Sequence, residues 1–169
     1  MTGSETITVA KKISGWHWRN YETFLTVLHP HFFLIQRWKM EEAFLRLFNT
    51  FNAEKKLEIF LHFDDPVKIC SLSPEMQLNL YRILQEQLRN IQKYASASIV
   101  EVDLLVHYHQ LKLNITDNGI GFNKDKVMSG IGLANMKRRA ELFSGKFEIH
   151  SSPGDGCEII VDIALPEIK

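Results

Sequence analysis

Cysteine is scarce in this chain. Its 169 residues contain two, Cys70 and Cys157, and they form no Cys-x-x-Cys pair. That spacing argues against a disulfide framework and a thiolate zinc site, and fits a reducing cytosol. No apolar run approaches the roughly 18 residues that a membrane span needs. The opening MTGSETITVAKKI lacks the apolar middle of a signal peptide. Net charge is missing as well, because 20 Lys and Arg balance 20 Asp and Glu. Without an excess of either sign there is no electrostatic case for nucleic acid or an anionic membrane. Internal repeats and low-complexity tracts are absent. The expectation is a soluble, cytoplasmic protein with no nucleic-acid contact and no membrane contact from this chain.

What is present is enough for a real core, with 45% hydrophobic and 24% charged residues. The length suits one domain with a short appendage. The aromatics are lopsided. Ten of the eighteen lie in the first 51 residues: Trp16, Trp18, Tyr21, Phe24, Phe32, Phe33, Trp38, Phe44, Phe48 and Phe51. The simpler reading is that this segment packs on the rest and completes its core; the sharper one is a docking surface. Residues 1–37 are read as an aromatic-rich arm and 38–169 as the domain proper.

In KMEEAFLRLFNTF, residues 39–51, Met40, Phe44, Leu47, Phe48 and Phe51 share one helical face. LEIFLHF at 57–63 reads as a strand. Ser73, Pro74 and Glu75 make a strong helix start, as cap, first helical residue and acidic first turn. That helix should run to about Ala95, with Met76, Leu80, Ile83, Leu84, Leu88 and Ile91 as its apolar stripe. Residues 98–108 form a strand, and QLKLNITDN alternates, with Leu111, Leu113 and Ile115 on one face. GLANMKRRAELF from Gly132 is helical, with Leu133, Met136, Ala140 and Phe143 inward and Gly145 as its stop. Residues 146–151 and 157–165 form a last hairpin around Ser-Pro-Gly-Asp-Gly. The order predicts an α/β two-layer sandwich, a mostly antiparallel sheet with helices on one face.

Gly-Ile-Gly occurs twice, at 119–121 and 130–132. Neither copy has the third glycine of a dinucleotide fingerprint, and no Gly-Lys-Ser/Thr exists for a Walker loop. Asp117 shares the parity of Leu111, Leu113 and Ile115, so it points to the side that should be buried. A carboxylate there needs a partner, and a base with an exocyclic amine would supply one. Gly119 and Gly121 would let the backbone pass close to such a ring. Gly130 and Gly132 open a helix whose bare N–H groups suit phosphates. On the long helix, Glu86, Asn90 and Lys93 lie one turn apart on one side. An amide oxygen is a hard ligand for Mg²⁺, and a carboxylate one turn away can polarise a nucleophile. Taken alone, this helix reads more simply as a solvated edge.

Together, Glu86-x-x-x-Asn90-x-x-Lys93-Tyr94-Ala95, Asp117-x-Gly119-x-Gly121, Gly130-x-Gly132-Leu133 and Gly154-x-Gly156-Cys157 resemble the asparagine box, glycine boxes and terminal glycine motif of the GHKL ATPases. Their order and spacing are similar to those of the catalytic domain of bacterial two-component sensor histidine kinases. The short loop FNKDKVMS between the glycine boxes resembles the abbreviated ATP lid of the nitrate-sensor and DesK-like subfamily. The resemblance covers about residues 38–166. It implies a Bergerat-type fold that binds ATP and Mg²⁺. It implies that Asp117 binds the adenine amine, Asn90 ligates Mg²⁺, Glu86 acts as general base or polarises the acceptor, and Lys93 reaches the phosphates. It implies too that Gly119 and Gly121 line the base, that Gly130, Gly132 and Leu133 support lid and triphosphate, and that Cys157 takes the ATP-binding position from which a residue assists the adenine-binding Asp117.

Two features depart from the family pattern. Thr usually follows the second terminal glycine, where this chain has Cys157, a weaker hydrogen-bonding group. A phosphoacceptor box is also missing. None of His17, His29, His31, His62, His107, His109 and His150 has the required setting, and His29 and His31 read as structural. The resemblance therefore implies a histidine phosphoacceptor and dimerisation domain, upstream or in trans, as partner, and a response regulator indirectly. A non-catalytic nucleotide-binding or partner-docking module and an anti-sigma-type serine kinase are the alternatives.

Overall fold

The computed structural model describes residues 10–11, 31–52, 57–63, 69, 72–123 and 130–166, with side chains from Met40 onward. Strand β1 is Ala10–Lys11, followed by helix α1, His31–Phe51, and strand β2, Glu58–Phe63. Helix α2, Pro74–Asn90, runs straight into a π-helical turn, Ile91–Ala95. Strands β3, Ile99–His107, and β4, Gln110–Asp117, follow, then helix α3, Ile131–Glu141, and strands β5, Lys146–Ser151, and β6, Cys157–Ala164. Among the described residues the six strands form one sheet in the order β1-β2-β3-β4-β6-β5.

Pairing is parallel for β1 with β2 and β2 with β3, and antiparallel for the rest. The expected mostly antiparallel sandwich is therefore observed, made mixed by the parallel β1–β2–β3 edge. The parallel join of β2 to β3 follows from α2, which carries the chain back along the sheet as a crossover must. α1 packs on α2, α2 on α3, and α3 on β5 and β6.

One apolar layer holds these parts together. β4 buries Leu111, Leu113 and Ile115 completely, and β6 buries Ile159, Val161 and Ile163 beside them. α2 answers with Leu80, Ile83, Leu84 and Leu88, all at most 1% exposed. Phe44 and Phe48 of α1 are fully inside, and Phe44 packs against Phe63 with ring centroids 5.9 Å apart. Burying each such side chain contributes about 1.5–3 kcal/mol. The aromatic N-terminal region thus completes the core at least through Phe44 and Phe48. Trp16, Trp18, Tyr21, Phe24, Phe32, Phe33 and Trp38 lie outside the described side chains.

α1 runs unbroken from His31, so the boundary drawn at 37/38 falls inside a helix. Ser73 caps α2 as expected, its Oγ accepting the N–H of Met76 at 3.2 Å. The end of α3 differs from expectation. Ser144, not Gly145, takes the left-handed conformation, at φ +55°. Gly145 is fixed instead by its N–H, which donates to the Ala140 carbonyl at 3.0 Å.

Candidate functional site

The inward row of β4 ends on a carboxylate. Asp117 follows Leu111, Leu113 and Ile115 in the same register and is 3% exposed. Its Oδ1 accepts the N–H of Gly119 at 2.9 Å. Its Oδ2 is buried and has no hydrogen-bond partner among the described residues. Burial pushes the carboxyl above its ordinary value, while N–H groups of Gly119 and Cys157 pull it back down. An unmatched buried acceptor costs about 1–3 kcal/mol, so this oxygen favours any ligand that brings a donor.

Cys157, at the start of β6, stands directly opposite Asp117 in the β4–β6 register. Its thiol is 7% exposed. Burial, and next the neighbouring Asp117 charge, push it up to about 12. The thiol therefore stays protonated at neutral pH and is a poor nucleophile. Gln87 of α2 donates to its Sγ through Nε2 at 3.9 Å. Gln87 belongs to the buried stripe of α2, at 3% exposed.

The long helix forms the opposite wall. Glu86 and Asn90 sit one turn apart, half-buried, at the edge of the apolar stripe. Glu86 Oε2 pairs with Arg89 at 3.4 Å. Asn90 donates through Nδ2 to Gln87 Oε1, also at 3.4 Å. Directly after Asn90 the helix widens into its π turn, a feature often found at functional sites. The turn delivers the Ala95 carbonyl to the N–H of Ile120, at 2.8 Å. The base of the loop is tied by Asn118, whose Oδ1 accepts the N–H groups of Ser98 and Ile99, each at 2.9 Å.

Two glycines set the approach of the remaining backbone. Gly121 has φ +58°, and a Cβ there would run into the Ser152 carbonyl. Gly132, in the first turn of α3, faces Glu86, whose Oε1 would lie 2.6 Å from an added Cβ. α3 is bolted to α2 by Arg139, which donates to Asn79 Oδ1 at 3.0 Å. Ser151 closes the β5 side, donating to the Gly156 carbonyl at 2.7 Å and accepting the Phe122 N–H at 2.9 Å.

These elements enclose a cavity of about 720 Å³. Glu86, Asn90, Lys93, Asp117, Gly121, Gly130, Gly132, Leu133 and Cys157 all line it. Gly119 does not. It is buried beneath, packed against Ala95, and serves the cavity by orienting Asp117 through its N–H. Lysines and serine of the expected lid, residues 124–129, lie outside the described residues; Phe122 before them lines the cavity. The sequence reading passed over Gln87, Arg89 and Ser151. Gln87 was findable, as a polar residue at the spacing of an otherwise apolar stripe.

The cavity thus joins an unmatched buried acceptor, Asp117 Oδ2, to a wall formed by Glu86, Asn90, Lys93, Gly130 and Gly132. The chain belongs to the histidine kinase-, DNA gyrase B- and HSP90-like ATPase family, whose model matches residues 75–167. It is 34% identical over 132 residues to the sensor histidine kinase LiaS of Bacillus subtilis, covering 77% of this chain and 36% of that protein. It is 30% identical over 130 residues to the oxygen sensor histidine kinase NreB of Staphylococcus carnosus, covering 76% of this chain and 37% of that protein. The chain thus spans about a third of the length of these curated relatives. The fold matches that of a blue-light activated histidine kinase from Erythrobacter litoralis, with TM-score 0.61 and 19% identity, over 72% of this chain and 40% of that one. It also matches the Acinetobacter baumannii histidine kinase AdeS, with TM-score 0.59 and 18% identity, over 76% of this chain and 64% of that one. The resemblance drawn from the four motifs is therefore borne out at the level of family and fold. Among the described residues no helix is long and apolar enough to cross a membrane.

Proposed function

We propose that this chain is the ATP-binding catalytic domain of a sensor histidine kinase. Its cavity holds Mg-ATP and delivers the γ-phosphoryl group to a histidine carried on a segment outside the chain. One observation carries the reading. A single cavity joins a buried carboxylate with an unpartnered oxygen, Asp117, to the Glu86, Asn90 and Lys93 edge of α2.

Asp117 Oδ2 accepts a hydrogen bond from the adenine amine and discriminates against a base with a carbonyl at that place. An acceptor facing an acceptor leaves both unmatched, which is the strongest kind of selection a small site can make. The first turn of α3, bare of side chains at Gly130 and Gly132, turns its N–H groups to the phosphates. Lys93 adds a positive charge on the other side. Leu133 and Cys157 fill the apolar floor.

The donor set fits Mg²⁺. Asn90 commits its NH₂ to Gln87, which leaves its amide oxygen, a hard donor, for a cation. When bound, the ion neutralises charge on the phosphate oxygens. Glu86 takes the N–H proton of the acceptor imidazole, whose other nitrogen attacks with its lone pair. As the nitrogen–phosphorus bond forms, the bond from the γ-phosphorus to the bridging oxygen breaks, and ADP leaves. Phosphoryl transfer asks a domain mainly for positioning, so few catalytic side chains suffice. The partners are a histidine-bearing dimerisation domain and, through it, a response regulator. The site works in the cytoplasm, where ATP is supplied.

Incubation with Mg-[γ-³²P]ATP and candidate helical acceptor domains tests the reading. Acid-labile, base-stable label on the acceptor is expected. Acid-stable label would mean a serine kinase, and bound ATP with no transfer to any acceptor would mean a binding module.

A further inference from the structure

We propose that Gln87 is a positioning residue that turns the amide of Asn90 so that its oxygen faces the cavity, and that Cys157 sets Gln87. The proposal rests on the nucleotide reading above and goes beyond it, because it gives Gln87, on the cavity wall, the task of orienting Asn90.

Gln87 occupies a position that the helix reserves for apolar side chains. Met76, Leu80, Ile83, Leu84 and Leu88 share its buried face of α2. A carboxamide there is 97% removed from solvent, being 3% exposed, and such a group stays buried only when its hydrogen-bonding atoms are matched. Both ends of it are matched. Nε2 donates to Cys157 Sγ at 3.9 Å, and Oε1 accepts Asn90 Nδ2 at 3.4 Å.

The polarity of this relay matters. In the structure the Cys157 sulfur accepts the NH₂ of Gln87, and the carbonyl of Gln87 points the other way, to the Asn90 NH₂. That carbonyl can accept only an NH₂, so Asn90 must turn its NH₂ inward and its oxygen outward. An amide turned the opposite way would present NH₂ to a cation and repel it. Groups one shell removed from a metal commonly fix the orientation of the ligand in this manner. The relay also joins the two ends of the cavity, because Cys157 is the cross-strand neighbour of Asp117.

The readout is the gain in nucleotide affinity on adding Mg²⁺, the ratio of Kd in EDTA to Kd in Mg²⁺, measured by calorimetry on the full 169-residue chain with a non-hydrolysable ATP analogue. This ratio cancels changes at the base end and general loosening of the fold. Gln87→Leu keeps the volume and removes the relay. It should cut the ratio about tenfold, the lower end of the usual loss for such groups, while binding in EDTA stays near wild type. Cys157→Ala should cut the ratio by a smaller factor, and Cys157→Ser, which keeps an acceptor for Nε2, should retain it. In the double variant Gln87→Leu/Cys157→Ala the ratio should fall no further than in Gln87→Leu alone, because both changes break one chain.

An undiminished ratio in Gln87→Leu overturns the proposal and leaves the nucleotide reading standing. So do losses that multiply in the double variant. Should Gln87→Leu not fold, equal ratios in Cys157→Ala and Cys157→Ser overturn it. A wild-type chain that gains nothing from Mg²⁺, or binds no analogue, overturns the nucleotide reading and this inference together.

Discussion

An atom added at Gly132 Cβ would stand 2.6 Å from Glu86 Oε1, so the start of α3 and the carboxylate of α2 share one space. The neighbour is the far end of a flexible side chain, and it can give way. In Gly132→Ala the fold should lose nothing, since Ala is the better helix residue by up to about 1 kcal/mol. The displaced carboxylate should lower transfer to a histidine acceptor at least about tenfold, towards the roughly 100-fold or greater loss expected for Glu86→Gln. Urea unfolding and a phosphotransfer assay on the same preparations separate the two effects.

Gly121→Ala should behave in the opposite way. Here φ is +58° and the obstacle is the Ser152 backbone carbonyl, which cannot swing aside. The variant should be destabilised by about 1–3 kcal/mol, seen as a lower urea midpoint at unchanged slope.

Cys157 should resist alkylation. Its thiol is pushed up to about 12 by burial and by the Asp117 charge, so thiolate is scarce at pH 8. Peptide mapping after iodoacetamide should show Cys157 modified far more slowly than a free thiol, with the rate still climbing above pH 9. Asp117→Asn removes the second cause and should speed the reaction.

Asp117 also makes the empty fold sensitive to pH. Its carboxyl is raised above 3.8, mainly by burial, so the folded state prefers the protonated form. Its stabilising contribution is full below 3.8 and is lost as pH rises through the raised folded value. Asp117→Asn keeps an oxygen for the Gly119 N–H and carries no charge. Without nucleotide it should melt a few degrees above wild type at pH 7, and the gap should close as pH falls through that window. A gap of constant size at all pH values would contradict the cause given.

Much of this site was legible because it is written in local periods. The alternation of Leu111, Leu113 and Ile115 places Asp117 on the buried face, and turn spacing puts Glu86, Asn90 and Lys93 on one edge. What escaped depends on contacts between distant segments. The parallel join of β2 to β3 leaves no mark in either strand's own pattern. Gly119 was assigned to the base, yet it packs on Ala95, a neighbour brought there by the π turn after Asn90. Gln87 was overlooked because the stripe was traced through apolar residues alone, although a polar residue in that register signals a buried network. The family was legible in four short motifs in order, each weak alone, which is why their joint spacing carried more than composition did.

The central claim is that Asp117 reads adenine in a Mg-ATP cavity. Titration calorimetry of wild type and Asp117→Asn with a non-hydrolysable ATP analogue and Mg²⁺ tests it most directly. The account predicts binding by wild type and at least about tenfold weaker binding by the variant, the loss of one hydrogen bond to a charged group. Equal affinity in the two proteins would contradict it.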